Sequence, residues 1–109
     1  MRPGAHPVAM SVALYPLLFR PVYKDYLWGG DRILRQFHRD EPPGIYAESW
    51  EISDRPEGPS IVANGPLAGT ALPDLIRRHP AALLGDGTTS TFPLLLKIID
   101  ARETLSVQV

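Results

Sequence analysis

Five side chains have types and spacings that could do chemistry. They are Glu48 and Trp50 in YAESWEIS, Lys97 in FPLLLKII, and Ser106 and Gln108 in LSVQV. An ammonium set in an otherwise apolar strand must meet an anion, lose its proton or reach a wet cavity. Lys97 therefore has two readings: one half of a buried ion pair, with Glu48 or Glu51, or a cationic group for a charged substrate. Glu48 shares a strand face with Trp50 and Ile52 by period-two alternation. Its carboxylate either pairs with a cation, titrates abnormally, or lies on an edge face and reaches water. Ser106 and Gln108 alternate with Leu105, Val107 and Val109. On one strand face they offer donors and a neutral oxygen that suits a hard or borderline cation. The alternative is two polar residues facing solvent.

The elements that must position these residues are mostly strands. Leu94–Ile99 is apolar on both faces except at Lys97, which predicts a strand buried on both sides. Residues 46–53 alternate as a half-buried strand, and 60–63 form a short one that could pair with it as a hairpin. Asn64-Gly65 is a turn signal. Upstream, Pro16 and Pro21 force residues 14–28 into an extended path. The aromatics there, Tyr15, Phe19, Tyr23, Tyr26 and Trp28, are either core and edge packing or rings that stack on a sugar.

Two helical pieces interrupt the strands. Asp31 is placed to cap a short helix with Ile33, Leu34 and Phe37 on one face, ending at His38. Residues 70–85 read as helical, with Pro73 in the first turn, Asp74 at the positive end, and Leu75 and Ile76 facing inward. The His79-Pro80 step breaks that helix, and Pro80–Leu84 forms a second turn closed by Gly85. The polar loop 85–91, GDGTTST, lacks the lysine and spacing of a phosphate-binding loop. This order predicts a mainly β fold, all-β or α+β, rather than an alternating parallel sheet.

Composition narrows the function. At 109 residues the chain is at most one domain. A formal net charge of −1 leaves no basic field for nucleic acid or an anionic membrane. No apolar run reaches bilayer-spanning length. Val8–Phe19 carries Ser11 and Pro16 and lacks a small-residue cleavage site, unlike a secretory signal. With no cysteine there are no disulfides or thiolate metal sites, which fits a reducing compartment. Residues 1–13 read as a disordered extension or a mis-assigned start, with Met10 an equally good first residue.

Four blocks, FRPVYKDYLWGG, AESWEIS, SIVANGPLAG and FPLLLKIIDARETLSVQV, together resemble the N-terminal part of type I mannose-6-phosphate isomerases, particularly the shorter bacterial members. The resemblance runs over about residues 15–109. It implies a jelly-roll β-barrel of the cupin type, here partial, around a divalent metal, usually zinc. It also implies a cytoplasmic enzyme interconverting mannose 6-phosphate and fructose 6-phosphate, by proton transfer between C1 and C2 through an enediol. Carried over residue by residue, Gln108 becomes a metal ligand, Ser106 a phosphate-site residue and Lys97 an active-site, catalytic residue that also meets substrate. Glu48 and Trp50 match the family's A-E-x-W block beside the substrate.

The family's metal set continues with a histidine two residues after the glutamine, then a glutamate and a second histidine. Its catalytic arginine also lies downstream. None of these has a counterpart here, and His6, His38 and His79 lie outside the motif positions. The resemblance therefore implies that residues 14–109 are the front part of such a domain, truncated at Val109, inactive alone and not expected to hold Zn2+ unaided. Two other classes stay open: a non-catalytic cupin-like module binding a sugar phosphate, and a half-barrel completed by a complementing chain.

Overall fold

Pro21, with its fixed φ and missing amide, separates two short extended pieces. These are β1 (Phe19–Arg20) and β2 (Val22–Lys24), and they go to different sheets. The computed structural model describes residues 14–86 and 91–105. The expected extension 1–13, residues 87–90 of the expected polar loop, and Ser106 and Gln108 of the expected terminal strand lie outside the described residues.

The three-stranded sheet has β3 (Glu48–Ile52) at its centre, antiparallel to β2 on one edge and to β5 (Leu96–Ile99) on the other. The two-stranded sheet joins β1 to β4 (Ile61–Val62), also antiparallel. The fold is thus mainly β, as expected, but the sheets form no closed barrel among the described residues. The expected hairpin between 46–53 and 60–63 does not form as a ladder. Both edges of β3 are already taken, so β4 pairs with β1 instead. Residues Ser53 and Ser60 keep a local tie: the Ser60 amide donates to the Ser53 carbonyl at 2.7 Å, and Ser60 Oγ accepts from the Ser53 amide at 2.8 Å.

The helical pieces follow the sequence closely. In α1 (Arg32–Gln36) Ile33 is the buried residue, while Phe37 just past its end is exposed. In α2 (Leu72–Arg78) Leu72, Leu75 and Ile76 recur at helical spacing and are buried. A Leu or Ile fully removed from water contributes roughly 1.5–3 kcal/mol, so this stripe anchors the helix to the sheets. His79 leaves the helix with φ −136° and ψ 57°, and α3 (Pro80–Leu84) begins at the proline.

Two local expectations give way to long-range contacts. Between Trp50 and Ile52 the β3–β5 register slips by one residue. This bulge carries Ile52 out of the face of Glu48 and Trp50. It lines instead an apolar cavity of about 260 Å³ with Phe19, Leu72, Ile76 and Phe92. Likewise Asp31 makes no side-chain cap on α1. The acceptor for the Arg32 amide is Asp100 Oδ2, at 2.8 Å and 68 residues away. The expected strand Leu94–Ile99, of which β5 forms the last four residues, is also less buried than its sequence implies: Leu94, Leu96 and Ile99 are 59%, 41% and 48% exposed. Among the described residues β5 is an edge strand, flanked on one side only.

Asp100 is buried, and its Oδ1 accepts from Arg32 Nε at 2.9 Å and Nη2 at 2.6 Å. Burial disfavours the charged carboxylate, but the hydrogen bonds and charge of Arg32 outweigh it and hold the carboxyl below its ordinary value. A depressed carboxyl stabilises the fold above its unfolded pKa, and that stability is lost as pH falls through the folded value. The stability of the chain is therefore expected to fall as pH drops below about 4. Asp100→Asn should flatten that part of the curve, as urea titrations across pH would show.

Candidate functional site

The β3 alternation separates two polar systems. On one face lie Glu48 and Trp50, with Lys24 opposite Glu48 on β2 and Lys97 opposite Trp50 on β5. The Glu48 Oε1 accepts from the indole Nε1 of Trp50 at 2.8 Å and from Lys97 Nζ at 3.2 Å. The Glu48 side chain is 9% exposed and that of Lys97 is 32% exposed. One carboxylate oxygen thus holds both an indole and an ammonium whose far side is open to water. Lys24 Nζ sits 4.4 Å from the centre of the Trp50 ring and donates to the Glu57 carbonyl at 2.8 Å. It therefore covers the indole instead of competing for Glu48.

The other face uses Glu51. Arg39 donates to both Glu51 oxygens, at 2.9 and 3.3 Å, and to Ser49 Oγ at 2.6 Å, while the Ser49 hydroxyl donates to Glu51. Burial lowers the Arg39 pKa, but Glu51 and Tyr23 beside it outweigh burial and raise it overall. With Glu51 committed to Arg39, the partner of Lys97 is Glu48. The ion-pair reading of Lys97 holds, and its ammonium also borders a cleft.

That cleft has a volume of about 640 Å³ and is lined by Tyr26, Trp28, Glu48, Trp50, Lys97, Ile99, Thr104 and Leu105. Tyr26 and Trp28 lie with ring centres 5.6 Å apart and planes at 32°. The aromatic-rich stretch therefore divides. Tyr26 and Trp28 reach the cleft, whereas Tyr15 donates to the Asn64 carbonyl and packs under Gly65, and Tyr23 meets Tyr46 edge-on. Of the five residues singled out from sequence, Glu48, Trp50 and Lys97 are brought together, and Ser106 and Gln108 lie outside the described residues. Thr104, Lys24 and Asp100 went unnoticed in the sequence. No local pattern marks the first two, and Asp100 is a lone carboxylate next to an apolar strand, a signal that could have been read.

A metal centre is a separate question. Among the described residues no group of three or more His, Cys, Asp or Glu could hold an ion. His38 lies beyond Phe37, the C-cap of α1, and His79 caps α2, and neither lines the cleft.

A family model for phosphomannose isomerase type I, catalytic domain, matches residues 17–109. The chain belongs to the type I phosphomannose isomerase family. Every cleft-lining residue falls inside the matched stretch. A mannose-6-phosphate isomerase of Streptococcus mutans serotype c is 42% identical over 94 residues, covering 86% of this chain and 29% of that protein. A probable mannose-6-phosphate isomerase of Bacillus subtilis, GmuF, is 41% identical over 95 residues, or 87% of this chain and 30% of that one. The crystal structure of the mannose 6-phosphate isomerase from Bacillus subtilis superposes with a TM-score of 0.71 at 38% identity. It covers 79% of this chain, which in turn accounts for 27% of that structure. The chain thus spans under a third of the length of these phosphomannose isomerases. Among its described residues no helix is long and apolar enough to cross a membrane.

The shared carboxylate oxygen makes a graded test. Glu48→Ala strands a buried indole N–H and the ammonium together, whereas Glu48→Gln keeps an oxygen acceptor for both. Leaving a buried donor unsatisfied costs about 1–3 kcal/mol. Urea denaturation is therefore expected to show Glu48→Ala less stable than Glu48→Gln by about that amount. Equal stabilities would contradict the geometry.

Proposed function

We propose that residues 14–109 are the N-terminal part of a cytoplasmic mannose-6-phosphate isomerase catalytic domain. The reaction is the interconversion of mannose 6-phosphate and fructose 6-phosphate. The observation that carries this reading is the cleft. In it a lysine held by a buried carboxylate stands among Tyr26, Trp28 and Trp50, within the stretch that matches the family.

Each residue has a role in this reading. The aromatic walls give the carbon face of the sugar an apolar surface and exclude water from it. Lys97 supplies a fixed positive charge beside the sugar oxygens. There it favours the negative charge that develops as a proton passes between C1 and C2 through the enediol. Glu48 keeps that ammonium aimed, and Trp50 holds Glu48 in place. Ser106 contributes to the phosphate site and Gln108 to the metal site.

Zinc belongs to this reading as the metal of the complete enzyme, where it would polarise sugar oxygens. A zinc site takes roughly four ligands. The described residues do not fit it, since they gather no such set. The remaining ligands would come from outside these 109 residues, in a longer form of the protein or a complementing chain. By themselves the 109 residues bind sugar phosphate and do not turn it over.

Calorimetric titration of mannose 6-phosphate into the chain, with and without zinc, tests this. Losing a hydrogen bond to a charged group costs about 1.5–3 kcal/mol. Lys97→Met is therefore expected to weaken binding by roughly ten- to a hundredfold, with no fructose 6-phosphate formed. Equal affinity for mannose and mannose 6-phosphate, an unaffected Lys97→Met variant, or turnover by the chain alone would each count against the proposal.

A further inference from the structure

Among the described residues the cleft chemistry leaves one buried ionised group unused. Asp100, 5% exposed, follows β5 directly and touches none of the cleft residues' polar atoms. A carboxylate so placed must be fully satisfied, and its bonds reach beyond one partner. Its amide donates to the Ala47 carbonyl at 2.8 Å, beside Glu48. Its carbonyl accepts from the Gly30 amide at 3.0 Å. Its side chain takes the Arg32 amide and guanidinium. Gly30 is what permits this, because a Cβ there would stand 2.6 Å from Asp100 Oδ2. One residue therefore ties the segment 29–32, the start of β3 and the end of β5 into one joint.

What that joint holds is a wall of the cleft. Just beyond Asp100, the amides of Arg102 and Glu103 both donate to the Trp28 carbonyl, at 2.9 and 3.2 Å, and Ala101 bridges Gly29. Trp28 on one side of this joint, and Thr104 and Leu105 on the other, all line the cleft. The opposing Glu48–Lys97–Trp50 set is fixed separately, by its own hydrogen bonds within the sheet. The two sides of the cleft thus have different side-chain anchors, and the side built by Trp28 and the 101–105 turn is held through the Asp100–Arg32 pair beside the backbone bond from the Tyr46 amide to the Gly30 carbonyl.

We propose that Asp100 and Arg32 are positioning residues that fix the Trp28 wall of the cleft against the Lys97 wall, and so set the fit of the hexose ring between them. Only the hexose part of this statement rests on the proposed function. The mechanical part stands on the hydrogen-bond geometry alone.

The test uses the whole chain grown with fluorotryptophan. Trp28 and Trp50 are its two tryptophans, so fluorine NMR gives one resonance for each side of the cleft, assigned with Trp28→Phe. In Asp100→Asn, well below the unfolding midpoint, the Trp28 resonance is expected to shift or broaden while that of Trp50 stays within its line width. Both moving together, or neither moving while only the unfolding temperature falls, would overturn the proposal in favour of a merely structural pair. If Asp100→Asn collapses both signals to the unfolded position, Arg32→Gln, at the 60% exposed partner, is read by the same criterion.

Binding is measured separately on the variant that stays folded. There mannose 6-phosphate affinity is expected to fall about threefold or more, a loss of about 0.6 kcal/mol or more. A change confined to Trp28 with unaltered affinity would overturn the hexose part. Absence of binding in the unsubstituted chain would defeat the proposed function and the hexose part with it, while the fluorine result would still decide the mechanical part.

Discussion

The Glu48 carboxylate is buried at the centre of the three-stranded sheet, and an ionised group in that position has to be neutralised by donors that the fold brings to it. One comes from its own strand, the Trp50 indole, and one from β5, the Lys97 ammonium. Meeting this demand fixes much else. It requires Lys97 to stand opposite Trp50, which sets the β3–β5 register up to the bulge. It also requires one strand face to be polar, so that face becomes a cleft and not part of the core. A buried ion pair is weak as a source of net stability, because desolvation consumes most of its attraction. Its value here is specificity of placement: a charged amine is held at a fixed point on the edge of a solvent-filled space.

The other face of β3 shows why the pairing is unambiguous. Arg39, Ser49 and Glu51 form a closed set, with the Tyr23 hydroxyl 3.5 Å from the same guanidinium nitrogen that meets Ser49. Two carboxylates three residues apart on one strand therefore serve two cations on opposite sides of the sheet. Period-two alternation is what keeps them separate. Beyond the sheet, the Asn64 side chain does similar work for the first strand, accepting from the Leu18 amide at 2.8 Å and donating to the Pro16 carbonyl at 3.0 Å. The small sheet of β1 and β4 is thereby held in register by a turn residue.

Much of this was legible in the sequence because it is written in short-range patterns. The alternation in YAESWEIS placed Glu48 with Trp50 and Ser49 with Glu51. Leu75 and Ile76 were placed on the inward face of α2, where Leu72 joins them in the fold, and His79-Pro80 gave its end. What escaped the sequence is set by partners far along the chain. The choice of β1 over β3 as the partner of β4, and the cap of α1 by Asp100 instead of Asp31, depend on which edges and donors are already taken. The exposure of β5 follows from its position at a sheet edge among the described residues, which its apolar sequence does not record. Ile52 left its expected face through a bulge, and no residue type at Glu51 announces one. The site itself was half legible: Lys97 and Glu48 stood out as charges in apolar strands, while the roles of Tyr26 and Trp28 needed the fold to separate them from Tyr15 and Tyr23.

The interaction at the centre can be measured directly by a double-mutant cycle on stability, using Glu48→Gln, Lys97→Met and the pair combined. Contacting residues in one network couple by roughly 0.5–3 kcal/mol. Because a third of the Lys97 side chain is in water, screening places the expected coupling toward the lower half of that range, about 1 kcal/mol. A coupling of that size, falling with added salt, is the expected result. Additivity of the two substitutions to within about 0.3 kcal/mol would mean that Glu48 does not hold Lys97, and the cleft would lose the charge on which its chemistry rests.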